Sequence, residues 1–130
     1  MSTDPLLEVT DLTVSFRSEE GLVEAVRGIS FKLGRGEIMG LVGESGSGKS
    51  QTLLSIMQLI DSPNAVLSGS IRLEGQELMG LGRRALDRVR GKSLAMIFQD
   101  PMTALTPVHR IGDQIVEQIR AHERVSRRAA

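Results

Sequence analysis

Residues 43–50 read Gly-Glu-Ser-Gly-Ser-Gly-Lys-Ser and match the phosphate-binding pattern G-x-x-x-x-G-K-[ST] at every defined position. In such a loop the glycines let the backbone turn where a Cβ would clash, and successive N–H groups form a nest for an anion. We expect Lys49 to reach the β- and γ-phosphates of a nucleotide, and the Ser50 hydroxyl to be a ligand of Mg²⁺. The pattern therefore predicts a nucleotide-binding loop.

The whole loop is a candidate for contact with the nucleotide. The helix predicted to follow it begins inside the pattern, so unpaired N–H groups of the first turn add partial positive charge. The predicted nucleotide-binding residues of the loop are Gly43, Glu44, Ser45, Gly46, Ser47, Gly48, Lys49, Ser50 and Gln51. The alternative interpretation is a glycine-rich turn before an ordinary helix.

A second Gly-Lys-Ser, at residues 91–93, tests how selective the pattern is. The full pattern would need glycine at position 86, where the chain has Leu86. We therefore interpret residues 91–93 as a turn before a strand and not as a second phosphate site.

The elements around residues 43–50 fit the needs of such a loop. Residues 37–42 form a short apolar run, typical of a strand buried on both faces. After the loop, Leu53, Ile56, Met57 and Ile60 share one face of a predicted helix. Strand, glycine loop and helix is the arrangement that the motif requires.

The remaining elements indicate an α/β protein. An alternating apolar pattern predicts an antiparallel layer of strands at 6–16, 22–27 and 29–33. The elements predicted after the first helix are a strand at 68–75, a short helix at 81–89, a second buried strand at 93–98 and a helix at 111–122.

Composition narrows the function classes. The chain has 130 residues, enough for one modest domain, and 16 basic residues balance 16 acidic ones, so no basic field argues for nucleic-acid binding. It has no cysteine, which excludes disulfides and thiolate metal sites. We see no apolar run near the ~20 residues of a membrane helix and no signal-peptide pattern at the first residues.

Two polar residues follow the second apolar run. In a P-loop protein, a strand that ends in an acid can hold the hydrated Mg²⁺ opposite Ser50, which makes Asp100 a candidate. Gln99 stands directly at the predicted strand end and is an equal candidate for the polar group near the γ-phosphate. The residues by themselves do not choose between the two.

Residues 43–50, taken together with Met-Ile-Phe-Gln-Asp-Pro-Met-Thr-Ala-Leu at 96–105, resemble the ATP-binding subunits of ABC transporters. The sequence is most similar to the oligopeptide/dipeptide/nickel importer branch, and the match runs along essentially the whole chain. The resemblance implies an α/β fold: a P-loop NTPase core with a mainly parallel sheet, plus an N-terminal antiparallel β layer.

The resemblance also assigns roles to residues outside the loop. It places Gln99 in the family's Q-loop, where it would contact Mg²⁺ and the attacking water and sense the transmembrane partner. Lys49 and Gln99 are then the catalytic candidates, Ser50 and Gln99 the metal ligands, and Asp100 a structural turn residue. Phe16 stands where the family stacks adenine on an aromatic side chain, usually Tyr; without the resemblance we would interpret Phe16 as a core residue.

The implied assembly follows from the same resemblance. The cofactors would be ATP and Mg²⁺, and the partners would be transmembrane permease subunits and a second ATPase subunit, identical or different. The subunit would lie at the cytoplasmic face of the inner membrane and drive import of peptides or a similar small solute. Residues 1–130 would be the N-terminal part of one ABC ATPase domain, because the signature motif, the Walker B strand, the catalytic glutamate and the switch histidine are not among them. We expect this chain alone not to hydrolyse ATP.

Two other classes remain open on the sequence. One is a different P-loop enzyme, such as a kinase or GTPase, with Asp100 as its metal-binding acid. The other is a non-catalytic ATP-binding half-domain. We interpret the basic cluster of the short helix as a solvated face and both histidines as solvated side chains; these residues are Arg83, Arg84, Arg88, Arg90, His109 and His122.

Overall fold

The computed structural model describes residues 4–44, 46, 48–98 and 105–130. The chain divides into two compact units, Met1–Gly82 and Arg83–Ala130. The elements of the first unit are β1 (Leu7–Ser18), β2 (Gly21–Leu33), α1 (Lys49–Ile56), β3 (Ala65–Leu73) and β4 (Gln76–Glu77). Those of the second are α2 (Arg83–Val89) and α3 (Ile111–His122).

The first unit is built on a four-stranded antiparallel sheet in the order β2-β1-β3-β4. The N-terminal antiparallel β layer predicted from the sequence is therefore confirmed, with β2 as one strand where two were expected. Alternating apolar side chains of the sheet supply most of the core, and α1 adds two residues at its end. The buried apolar residues of this unit are Leu7, Val9, Leu12, Val14, Val26, Ile56, Met57, Ile71, Leu73 and Leu78.

Strand β1 has a bulge at Asp11, where its pairing with both β2 and β3 shifts register; we call this place the corner. The apolar alternation of β1 skips a residue there, and Asp11 takes a positive φ of 47°. On β3, opposite this bulge, Gly69 has a φ of 104°, and a Cβ on it would lie 2.4 Å from the Asp11 carbonyl oxygen. The bulge shifts the phase of β1 by one residue, so that Leu12 faces the core in place of Asp11.

The predicted buried face of the first helix is confirmed at Ile56 and Met57 but not at Leu53. The buried residues of α1 are Thr52, Ser55 and Ile56, whereas Leu53 is exposed. Two hydroxyl-bearing residues can face the core because each bonds a backbone carbonyl of the preceding turn, which satisfies the buried oxygen.

The predicted strands at 37–42 and 93–98 are wrong for this structure. Residues 37–42 and 95–98 have irregular backbone, with Ile38 and Ile97 almost wholly exposed. A strand buried on both faces needs hydrogen-bonded neighbours and covering layers, and the described residues offer neither to these segments. Within the described part of the chain, parallel pairing is limited to an isolated bridge between Arg90 and Leu94.

The described residues of the second unit form two helices. The predicted helix at 111–122 is confirmed with the same bounds, and the shorter helix begins at Arg83, two residues later than predicted. The arginines 83, 84 and 88 are exposed, and Arg90 forms an ion pair with Asp87 at 3.1 Å.

Candidate functional site

The loop at residues 43–50 leads directly into α1, as the motif requires. Gly48 is the N-cap of α1 and has the left-handed φ of 96°; Gly46 has a φ of 84°. Among the described residues no side chain caps this helix end, and the first turn has no acidic residue. The first-turn amides and the helix dipole therefore create a partially positive site with no carboxylate of the same turn to neutralise it.

Lys49, the first residue of α1, folds back over its own loop. Its ammonium group donates a hydrogen bond to the Gly43 carbonyl and another, of 3.0 Å, to the Glu44 carbonyl. The cation is thereby bonded to the start of its own loop. Ser50 follows in the same turn and is exposed.

Gly48 also lies close to the sheet. A Cβ at this position would lie 2.6 Å from the Ala25 carbonyl oxygen of β2. The pairing of β1 with β2 shifts here, since Val14 faces Val26 whereas Ser15 faces Glu24, so Ala25 is the extra residue of a bulge. The bulge turns a strand carbonyl towards the loop, and glycine is required at 48 both by the backbone angle and by the space.

Thr52, one turn into α1, bonds to Gly48 from within the helix. We call the contacts of Gly48 with β2 and with Thr52 the junction. Its side-chain hydroxyl donates to the Gly48 carbonyl at 2.8 Å, and its backbone N–H donates to the same oxygen at 2.9 Å. Ser55 makes the equivalent side-chain bond to the Gln51 carbonyl at 2.7 Å.

A pocket of about 370 Å³ lies between β2 and the loop. Its described lining residues are Glu24, Ala25, Val26, Arg27, Ile29, Gly46 and Thr52. Phe16 is not among them; it lies half-buried near the end of β1, opposite Val23 of β2 and Ala65 of β3. Its contact with adenine stays a prediction.

The structure brings together seven of the predicted loop residues, namely Gly43, Glu44, Gly46, Gly48, Lys49, Ser50 and Gln51. Ser45 and Ser47 lie outside the described residues, and so do Gln99 and Asp100. The second Gly-Lys-Ser is a turn that follows α2, with the Gly91 amide bonded to the Leu94 carbonyl, and it does not open a helix.

Sequence reasoning missed two residues of this junction. Thr52 had a signal, because a hydroxyl four residues after Gly48 can reach the Gly48 carbonyl of a helix. Ala25 had none, since the bulge that turns its carbonyl depends on the register of β1 against β2.

Comparison with known proteins adds independent information. The family model described as ABC transporter matches residues 26–129. The chain is 52% identical over 127 residues to the oligopeptide transport ATP-binding protein OppD of Mycobacterium tuberculosis, covering 97% of this chain and 21% of that protein. It is 48% identical over 126 residues to OppD of Bacillus subtilis, covering 96% and 35%.

A third relative is the putative peptide import ATP-binding protein BMEII0206 of Brucella melitensis. It is 47% identical over 130 residues, which are 100% of this chain and 39% of the relative. The chain thus spans well under half the length of these curated relatives.

Among solved structures, the dimeric structure of MJ0796, described as a bacterial ABC transporter cassette, superposes with a TM-score of 0.78. The identity is 22%, and the match covers 92% of this chain and 49% of that one. The likeness confirms the fold as that of an ABC ATPase cassette of the α/β class.

Proposed function

Since the chain belongs to the ABC transporter family, we propose that it binds Mg-ATP at residues 43–50. The backbone amides of the segment from Gly43 to Gln51, which includes Ser45 and Ser47, would hold the nucleotide. Lys49 would balance the phosphate charge and stabilise the charge that develops on the transferred phosphoryl group. Gln99 would act near the γ-phosphate, and Phe16 would contact the adenine.

The observation that carries this proposal is the pairing of two positive groups at one point. The Lys49 ammonium lies over the loop, and the uncapped N-terminus of α1 begins at the same residue. Amides and a lysine that converge in this way suit a polyphosphate better than a single carboxylate, because several oxygens can be bonded at once.

The exposed Ser50 hydroxyl fits a magnesium ion that travels with the nucleotide. Mg²⁺ usually keeps several waters and takes few protein oxygens beside those of the phosphates, so one hydroxyl at the edge of the loop is a sufficient protein ligand. When bound, the ion would neutralise phosphate charge. Gln99 is the second ligand that we propose.

At the level of the assembly, we propose an ATP-binding subunit of a peptide importer that hydrolyses ATP. The names of the relatives support peptide transport, and the dimeric cassette supports pairing with a second ATPase subunit. Permease subunits would hold the protein at the cytoplasmic face of the membrane. Among the described residues, none of the helices has the length and apolar character needed to cross a bilayer.

Calorimetric titration of the 130-residue chain with Mg-ATP tests the binding. We expect saturable 1:1 binding that Lys49→Ala weakens by about 100-fold, since it removes a charge-assisted bond to phosphate. Lys92→Ala is the matched control, because Lys92 stands in the other Gly-Lys-Ser but in a turn.

Absence of Mg-ATP binding by the unchanged chain would overturn the proposal, and so would either of two other outcomes. One is equal loss of affinity in Lys49→Ala and Lys92→Ala, which would indicate general charge attraction. The other is a clear preference for GTP over ATP in a parallel titration, which would favour a different P-loop enzyme.

A further inference from the structure

We propose that Thr52 is a positioning residue for phosphate binding: its hydroxyl fixes the Gly48 carbonyl and thereby aims the Lys49 amide at the ligand. The inference deepens the proposed function and rests on it. Thr52 itself need not touch the nucleotide. Its effect would pass through one peptide group of the loop.

The first step is the double bond to a single oxygen. The Gly48 carbonyl accepts the Thr52 hydroxyl at 2.8 Å and the Thr52 amide at 2.9 Å. The second of these bonds is the ordinary first bond of the α1 ladder, and the first is an addition that the side chain makes. Two donors from one residue hold that oxygen in one direction.

The second step is the geometry of the peptide unit. The Gly48 carbonyl and the Lys49 N–H belong to the same planar trans group, so they point in opposite directions. When the carbonyl is held down the helix, the Lys49 amide must point out of its N-terminus. This amide belongs to the first turn, whose N–H groups have no acceptor within their own helix.

The third step is why this peptide needs holding. Gly48 lies in the left-handed region, and a glycine has unusually free backbone rotation on either side of its Cα. The Ala25 carbonyl limits the space on one side of Gly48, since a Cβ there would lie 2.6 Å from its oxygen. The Thr52 hydroxyl restrains the peptide on the helical side, so the two contacts together select one orientation.

The burial of Thr52 points to a role beyond packing. The residue is 3% exposed, so its hydroxyl is withdrawn from solvent and needs a partner within the protein. A hydroxyl that back-bonds to the preceding turn gives a helix little stability and can bend it. Valine would fill the same volume, so the sequence keeps an oxygen where packing alone does not require one.

Ser55 provides an internal control. It is fully buried, and its hydroxyl makes the same kind of bond three residues later in the helix, to the Gln51 carbonyl. Ser55 lies beyond the first turn, and no bond joins it to Gly48. Loss of its hydroxyl should affect the helix but not the aim of the Lys49 amide.

The test titrates Mg-ATP into four forms of the full chain: unchanged, Thr52→Val, Thr52→Ser and Ser55→Ala. Urea unfolding of each form reports stability separately. We expect Thr52→Val to raise the Kd about three- to tenfold, the range set by one net hydrogen bond. We expect Thr52→Ser to restore affinity to within about twofold, and Ser55→Ala to leave the Kd unchanged although it lowers the urea midpoint.

Each result decides something. If the unchanged chain does not bind Mg-ATP, the proposed function fails and the role of Thr52 fails with it. If the chain binds but Thr52→Val has the affinity of the unchanged chain, the positioning role alone is wrong. If Kd rises equally in Thr52→Val and Ser55→Ala, the effect is general destabilisation, and the positioning role is again overturned.

Discussion

The antiparallel sheet and the segment 37–42 contain similar apolar side chains but differ in how far these side chains are buried. Leu12 and Val14 of β1 and Ile71 of β3 are fully buried, whereas Ile38 and Val42 are almost fully exposed. Both stretches are apolar enough for a core. Apolar content therefore does not separate the region that forms a sheet from the region that stays irregular.

The difference lies in where the partners of each segment come from. β1 alternates apolar and polar residues and pairs along its length with β2 on one edge and β3 on the other. Segment 37–42 is apolar at consecutive positions, a pattern that needs cover on both faces and strands on both edges. The described residues supply such partners for the sheet and not for the segment. The comparison therefore separates strands that find their partners within the described residues from a segment that does not.

The largest expected effect lies in the sheet. Ile71→Ala removes a fully buried side chain of β3 and should lower the free energy of unfolding by about 3–4 kcal/mol through lost burial and the resulting cavity. Urea unfolding followed by circular dichroism measures it. A loss under about 1 kcal/mol would mean that the sheet is not the stable part of this chain.

A smaller effect is expected at the corner. Gly69→Ala should cost about 2–3 kcal/mol, because a φ of 104° strains alanine and its Cβ would meet the Asp11 carbonyl. Gly28→Ala is the matched control: its φ is 75°, but no atom lies within 4 Å of the new Cβ, so about 1 kcal/mol is expected. Equal losses would show that the close approach to Asp11 does not matter.

The smallest effect is expected in the segment. Ile38→Ala makes the same substitution as Ile71→Ala on an exposed side chain and should change the free energy of unfolding by less than about 0.5 kcal/mol. Amide hydrogen exchange should agree, with fast exchange at 37–42 and protection along β1. Protection of the segment comparable to that of β1 would contradict the comparison.

The sequence predicted features that depend on local pattern. The loop follows from fixed spacing, and α3 from isoleucines at every fourth position. It did not predict features that depend on distant partners. Whether residues 37–42 pair, and which carbonyl of β2 faces Gly48, are set by register and by neighbouring strands, which no short window contains.

The site shows the same division. Lys49, Ser50 and the glycines follow from the motif, and the structure places them at one helix end. The contact of Ala25 with Gly48 became visible only in three dimensions. Thr52 lies between these cases, since its spacing from Gly48 was present in the sequence and its burial was not.

The two hydrogen bonds from the Lys49 ammonium to its own loop carbonyls have a thermodynamic consequence. The side chain braces the loop as a cross-link between the start of the motif and its end. An ammonium group has three N–H donors, so a phosphate can take the third donor of Lys49 and compete with the two carbonyls for the others. Part of the binding is therefore an exchange of oxygen partners, and this contact should release less heat than the same contact made by an unbonded lysine.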